Sequence, residues 1–381
     1  MRLKEKTISA NTGLDAIKRA PIVEYDTGLK CIRIQDISQG KQYDEWGFTE
    51  TSEKDRKKFL LKKNDLLIAR TGATVGVSKI ITSDINSVYN NGTIRLKLEK
   101  SVNPRFIHYI FQTDSFLQYI DNISCVATQP NLRIEGLLRF TIPDYSLDRQ
   151  NKIVSVLLPF DELIENNNKR IKLLEQMAEN LYKEWFVRFR FPGFENVEFI
   201  DGFPKEWKIC RIDQLSKIKA GGDAPNDATK EITDECSIPI FSNKIENEGL
   251  YGYTSKAKID KPSISISARG TVGYTCLRRV SYTPIVRLIC IIPHEEKLAN
   301  WLFYYFKRTI VVANGTSQQQ ITIPMMSREK VLLPTNDLIQ KFYEYSTCYL
   351  DEIDSLKAQN SNLEKQRDLL LPRLMSGKLE V

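Results

Sequence analysis

The sequence predicts an α+β protein built twice over: two related globular domains separated by a pair of long antiparallel, coiled-coil-like helices, with an internal pseudo-twofold repeat. Three observations predict it. A set of landmarks recurs in the same order about half a chain later. Each copy mixes β-branched strands with Gly, Pro and Asn turns and short helices. Each copy then ends in a long heptad pattern.

The first landmark is a strand-like run ending in a small, Gly-rich turn. It reads Leu-Leu-Ile-Ala-Arg-Thr-Gly-Ala-Thr-Val-Gly at 66–76 and Ile-Ser-Ile-Ser-Ala-Arg-Gly-Thr-Val-Gly at 264–273. The second is an aromatic helix segment, Phe-Ile-His-Tyr-Ile-Phe at 106–111 and Trp-Leu-Phe-Tyr-Tyr-Phe at 301–306. The third is Gln-Pro-Asn-Leu at 129–132 and Gln-Gln-Gln-Ile at 318–321; each precedes a short strand ending in Ile142-Pro143 or Leu333-Pro334. The fourth is a long charged helix, starting near Asp148 and again near Asp337. The predicted boundaries are 1–146 for the first domain, 147–188 for the first helix, 189–334 for a connector and the second domain, and 335–381 for the second helix and tail. The connector at 189–208 is rich in Phe, Pro and Gly and reads as packed but irregular.

In the first helix, spacings of three and four run through Ile153, Leu157, Phe160, Ile164, Asn167, Ile171, Leu174, Ala178, Leu181 and Trp185. The second gives Phe342, Ser346, Tyr349, Ile353, Leu356, Asn360, Leu363, Arg367, Leu370 and Leu374. Such narrow, sustained seams are a coiled-coil signature. Each contains one asparagine, and a buried amide is costly unless a polar group faces it, so the pair sets the register. Full antiparallel overlap places Asn167 against Asn360 and Trp185 against Phe342. Parallel overlap places the two amides against Leu356 and Ile171 instead. The antiparallel pair is therefore expected. Its one uneven layer is Phe160 against Arg367, where the arginine can lie over the ring.

Composition narrows the function classes. The 381 residues suffice for two ordinary domains, and no apolar run approaches the roughly 20 residues that span a bilayer. The charged start carries no secretory signal, and the seven cysteines are scattered and never form a CxxC pair. Reduced thiols in a cytoplasm are expected, with neither disulfide framework nor zinc site. The net charge of +7 favours a polyanionic partner. There is no GxGxxG, no P-loop, no Pro-Pro pair and hence no Asn/Asp-Pro-Pro-aromatic motif of adenine methylation. Pro143-Asp144 resembles the start of a nuclease motif, but no acid-x-Lys follows in the next helix. His108 lies in an aromatic stretch and reads as core; His294 reads as an exposed turn.

Roughly 40 helical residues rise about 1.5 Å each, giving a rod of about 60 Å. Related readers at its two ends suit a split DNA site, since equivalent major-groove faces recur about every 34 Å. The order domain, helix, related domain, helix resembles the specificity subunits of type I restriction–modification enzymes. So do the segments at 65–76, 267–273, 202–208 (Gly-Phe-Pro-Lys-Glu-Trp-Lys), 318–321 and 371–379 (Leu-Pro-Arg-Leu-Met-Ser-Gly-Lys-Leu). The resemblance covers essentially the whole chain. It implies a non-catalytic subunit whose two target-recognition domains each read half of a bipartite, asymmetric double-stranded DNA site. It implies helices that set the gap and dock two methyltransferase (modification) subunits. Those subunits bind S-adenosylmethionine, and restriction subunits add ATP-driven translocation; this chain holds no cofactor and no metal. The first domain lacks the Phe-Pro-Lys-Glu-Trp of 203–207, which leaves its N-terminal edge the less defined. On the residues alone, a scaffold that pairs proteins without reading DNA and an enzyme with an unrecognised motif stay open.

Base readout needs polar side chains on turns at strand ends. The candidates are Arg33, Gln35, Arg70, Thr71, Thr74, Lys79, Asn90 and Asn91 in the first domain, and Asn243, Lys244, Tyr251, Arg269 and Thr271 in the second. Glycines 72, 76, 270 and 273 can bring backbone N–H groups to phosphate, or serve only as turn residues. The run 54–63 carries six basic residues against one acid and is either a phosphate grip or a solvated helix face.

Overall fold

The computed structural model describes residues 1–124, 131–268, 272–313 and 321–381. The chain forms two compact units, Met1–Asn166 with Gln359–Val381, and Asn167–Ala358.

The first unit opens with β1 (Thr7–Thr12), β2 (Ile22–Val23) and β3 (Lys30–Ile32). Helix α1 (Ile34–Ser38), β4 (Gly47–Thr49) and α2 (Glu53–Phe59) follow, then β5 (Leu66–Ala69), β6 (Ser78–Ile80), β7 (Ser87–Tyr89) and β8 (Thr93–Leu98). Helices α3 (Pro104–Ile110), α4 (Asp114–Ser124) and α5 (Ile134–Leu138) lead to the long helix α6 (Leu147–Tyr182). Local chemistry sets several of these ends. Ser52 caps α2 by accepting from Asp55 N–H; Asn103 caps α3 by accepting from Arg105 N–H at 2.9 Å, with Pro104 in the first turn.

The strands make two sheets, of order β1-β8-β5-β6 and β2-β4-β3-β7. The first is antiparallel throughout; in the second, β3 pairs β7 in parallel. The apolar run of β5 is buried on both faces. Leu66 and Ile68 join Phe106, Ile107 and Phe116 in a core beneath the helices, while Leu67 joins Leu14, Val88 and Tyr89 on the other face.

The second unit begins with the hairpin β9 (Phe199–Ile200) and β10 (Phe203–Pro204), then β11 (Lys208–Arg211), α7 (Ile212–Leu215) and β12 (Ser216–Ala220). β13 (Ile238–Phe241), β14 (Leu250–Thr254), β15 (Ser263–Ile266), β16 (Thr275–Arg278), β17 (Thr283–Pro284) and β18 (Ile289–Pro293) complete its sheets. Helices α8 (Leu298–Ala313) and α9 (Ile323–Arg328), strand β19 (Lys330–Leu333) and the long helix α10 (Asn336–Met375) close the chain. The sheet orders β12-β18-β15-β16 and β14-β13-β17 repeat the plan of the first unit, down to the parallel pair β13–β17. The connector packs as expected of its aromatics: Phe189 and Phe191 lie 5.4 and 5.6 Å from Trp207.

Two sequence expectations change. The strand expected to end at Ile142-Pro143 is a single bridge, Arg2 to Thr141, whereas its counterpart β19 pairs fully with β11. The edge of the first unit also becomes defined. Leu3 N–H donates to Phe140 O at 2.9 Å as Ile212 N–H donates to Glu329 O at 3.0 Å, so residues 2–6 stand where 211–215 stand in the second unit.

One close approach is built into both copies. As β1 ends, Gly13 crosses the end of β7, where a Cβ would lie 2.2 Å from Tyr89 O and 2.4 Å from Asn90 O. Gly221, after β12, crosses the end of β17, where a Cβ would meet Ile285 N at 2.7 Å. Only glycine permits either passage.

Within each unit the long-helix segments run antiparallel. In the first, Tyr145 Oη donates to Met375 O at 3.0 Å while Asp161 pairs with Arg367 at 2.8 Å. In the second, Arg170 pairs with Glu352 at 2.6 Å while Trp185 packs on Phe342 at 6.1 Å. No predicted seam position is fully exposed; Asn167 and Asn360 are 4% and 8% exposed. The expected layer of Arg367 over the Phe160 ring is replaced, because a carboxylate one residue on is a stronger partner for guanidinium. Asp161 accepts from Arg367 Nη1 and also from Tyr109 Oη, at 2.6 Å.

His108 sits in the first core between Ser78 Oγ at 2.9 Å and Gln112 Nε2 at 3.0 Å. Burial pushes its imidazole from 6.5 down to about 4. The neutral ring is therefore favoured in the fold, and its stabilisation is present above pH 6.5 and lost as pH falls towards 4. His108→Gln is expected to flatten the acid limb of the stability profile by up to about 3 kcal/mol between pH 7 and 4. Denaturant titrations at a series of pH values check this; parallel limbs for both proteins contradict it.

Candidate nucleic-acid interface

In the first unit the turn from β7 to β8 gathers most of the expected side chains. Asn90 N–H donates to Ile32 O at 3.2 Å, Asn91 N–H to Leu14 O at 2.7 Å, and Arg70 N–H to Gly92 O at 2.9 Å. The turn thus sits between the start of α1, which carries Arg33 and the exposed Gln35, and the loop after β5, which carries Arg70 and Thr71. Arg70 Nη2 donates to Asn131 Oδ1 at 3.0 Å, and Thr71 bridges the same residue. Arg33 Nε lies 3.7 Å from the buried Asp36 carboxylate. Arg33 Nε, Arg70 Nε and Asn90 Oδ1 are buried without a hydrogen-bond partner among the described residues. Leaving such atoms unmade costs about 1–3 kcal/mol each, so this patch holds unmet polar capacity.

Two candidates leave the patch. Lys79, on the edge strand β6, turns to Lys41 O at 3.1 Å and lies 5.9 Å from the Trp46 ring; burial lowers its ammonium pKa. Thr74 lies within the turn, its carbonyl taken by Val77 N–H at 3.2 Å. The glycines divide similarly. Gly76 and Gly273 have φ of +94 and +90, and their N–H groups return to Ala69 O and Ser267 O at 3.0 and 2.8 Å, so they close turns and hold no donor for phosphate. Gly72, at φ +82, is exposed.

The second unit brings Asn243, Lys244 and Tyr251 to one cleft of about 720 Å³, with Gly221, Gly222, Asp223, Val286 and Arg287. Asn243 is reassigned there. Its Nδ2 donates to Val286 O and its Oδ1 accepts from Ala268 N–H at 3.1 Å, so its carboxamide holds loops together rather than facing outward. Lys244 and Tyr251 are exposed. Arg269, Thr271 and Gly270, like the Gln-Pro of 129–130 and the glutamines of 318–320, lie outside the described residues. Sequence reasoning missed Arg287, which carries no turn signature.

On α2, Lys54, Arg56, Lys57 and Lys58 are exposed, with Lys62 and Lys63 just beyond. Other chemistry is sparse. Among the described residues no group of His, Cys, Asp and Glu could hold a metal, and no helix is long and apolar enough to cross a membrane. The described cysteines are free; burial pushes the Cys31 thiol up to about 12 and Cys290 to about 11, far from reactive thiolates. His294 is exposed.

A profile of the family described as the type I restriction modification DNA specificity domain matches the chain twice, at residues 24–176 and 204–365. The type I restriction enzyme MjaIX specificity subunit of Methanocaldococcus jannaschii is 27% identical over 375 residues, covering 91% of this chain and 83% of that protein. The type I restriction enzyme HindI specificity subunit of Haemophilus influenzae is 23% identical over 406 residues, covering 84% and 87%. In fold, the chain resembles the crystal structure of the S subunit of a type I restriction–modification system from M. genitalium, with a TM-score of 0.59 at 17% identity over 98% and 95% of the two chains. The repeated two-sheet plan and the twofold match agree: this chain belongs to the type I restriction modification DNA specificity domain family.

Proposed function

We propose that this chain is the DNA sequence-recognition subunit of a type I restriction–modification complex, binding one half of a bipartite double-stranded site with each globular unit. The observation that carries the reading is the repeated turn over a glycine crossing. The same scaffold presents Arg33, Arg70, Asn90 and Asn91 in one copy, and Lys244, Tyr251 and Arg287 in the other. A shared scaffold with different side chains suits an asymmetric site. The long helices expose apolar residues amid their charges, Leu163, Leu173, Met177 and Leu369 at 50–67%, which suits docking of modification subunits. In this reading S-adenosylmethionine and ATP belong to the modification and restriction subunits, the chain itself turns over nothing, and the complex works in the cytoplasm.

The test is competition binding of the full chain, alone and with its modification subunits, to duplexes drawn from a random pool. A retained sequence is expected to bind roughly a thousandfold or more tighter than a scrambled duplex. Equal affinity for both, or turnover of DNA by the isolated chain, contradicts the reading. The basic helix gives a second expectation. Replacing Lys57 and Lys58 by Ala weakens binding to all sequences alike and reduces the salt slope by about 1–2. An unchanged slope in anisotropy titrations places α2 away from the phosphates.

A further inference from the structure

The turn from β17 to β18 is held in a backbone shape that its residues disfavour. Val286 and Arg287 are both left-handed, with φ of +53 and +57. For a β-branched residue that shape is a genuine outlier and persists only where the surroundings over-determine it. Here they do. Ile285 N–H donates to Phe241 O at 2.9 Å, Val286 N–H to Gly222 O at 2.8 Å and Arg287 N–H to Gly221 O at 3.1 Å. Asn243 Nδ2 holds Val286 O from the other side. The glycine crossing lets the clamp close, since a Cβ at 221 would strike Ile285 N and O.

The clamp leaves both side chains outside. Val286 is 58% exposed, and the Arg287 guanidinium is exposed with no ion pair among the described residues. It stands at the cleft with Lys244, Tyr251 and the carboxylate of Asp223. That acid matters: a carboxylate repels phosphate but accepts from base amino groups, so mixed charge fits base edges better than backbone. In the matching register the first unit has Asn90, Asn91 and Gly92 where the second has Ile285, Val286 and Arg287, and neither asparagine is left-handed.

Resting on the proposed function, we propose that Arg287 is a base-reading residue of the second half-site, its fork presented in the major groove to the O6 and N7 acceptors of a guanine. Asn243 and Gly221 are its positioning residues. The first unit has Gly92 in that register, with no side chain to offer a base, so the two half-sites differ at this contact.

The full chain, purified with its modification subunits, is incubated with random-sequence duplexes, and the retained DNA is sequenced for wild type, Arg287→Ala and Arg287→Lys. Wild type selects a split motif with an invariant guanine in one half. Arg287→Ala loses that guanine alone, weakens cognate binding about 10–100-fold and leaves the other half intact. Arg287→Lys keeps a donor that can reach O6 and N7 without the planar fork, so it weakens the guanine preference less than Arg287→Ala does, while affinity for random duplex stays within about twofold. An unchanged motif in Arg287→Ala overturns the assignment, as does equal weakening on every sequence, which marks a phosphate contact. A wild-type complex that retains no motif overturns the proposed function itself, a separate failure.

Discussion

Gly13→Ala is expected to be among the most damaging single-methyl changes in the first unit, costing on the order of 3 kcal/mol. The added Cβ would sit 2.2 Å from Tyr89 O and 2.4 Å from Asn90 O, and both are backbone atoms tied into the strand end. No rotamer relieves such a clash, so β1 must lift from β7 and take with it the turn that carries Asn90 and Asn91. Gly221→Ala meets its neighbours at 2.7 and 2.8 Å and is expected to cost less. Gly28→Ala is the control: it has open space at φ +70 and costs only the left-handed backbone, about 1 kcal/mol. Hydrogen exchange of the β7 and β8 amides checks the order. Gly13→Ala no worse than Gly28→Ala would mean that the crossing is not tight.

Asp161→Ala is the second large effect, at about 3 kcal/mol. Asp161 accepts from the buried Tyr109 hydroxyl at 2.6 Å and from Arg367 at 2.8 Å, tying α3 and both long-helix segments of the first unit together. Its removal strands a phenol and a guanidinium whose side chain is only 20% exposed. Asp161→Asn keeps an acceptor without the charge and is expected to lose roughly half as much. Arg367 retains Asp368 as a neighbour at 2.9 Å, which limits the cost. Exchange rates in β5 and α3 of the full chain report the loss. Equal rates in Asp161→Ala and wild type would make this an ordinary surface ion pair.

Much of the architecture was legible because it repeats. The run 66–69 and its copy at 263–266 are buried on both faces, and the aromatic helices must cover them. The long helices announced themselves through their heptads, and their asparagines are buried. What stayed hidden was short or non-local. β2, β3, β4 and β7 span two or three residues each, too few for an alternating pattern. The partner of Asn243 is a backbone carbonyl 43 residues away, so an amide that looked available is occupied. Lys79 looked like a DNA-contacting residue at a strand end, but its four-carbon stem reaches a carbonyl beside Trp46. Val286 and Arg287 carry neither Gly nor Asn to mark a left-handed turn; the clamp that imposes it comes from β12 and β13. The site was therefore half visible: which loops converge could be inferred from strand ends, but which side chains face out depends on hydrogen bonds between distant segments.

That two separate readers address two halves of one split site is tested most directly by single-molecule methylome sequencing of cells expressing this chain with its modification subunits, beside an otherwise identical strain carrying Arg33→Ala with Asn90→Ala. The predicted result is one modified motif of two unlike halves around an unspecified gap, with the variant degenerate in one half only. A continuous motif, or one that loses both halves together, would contradict it.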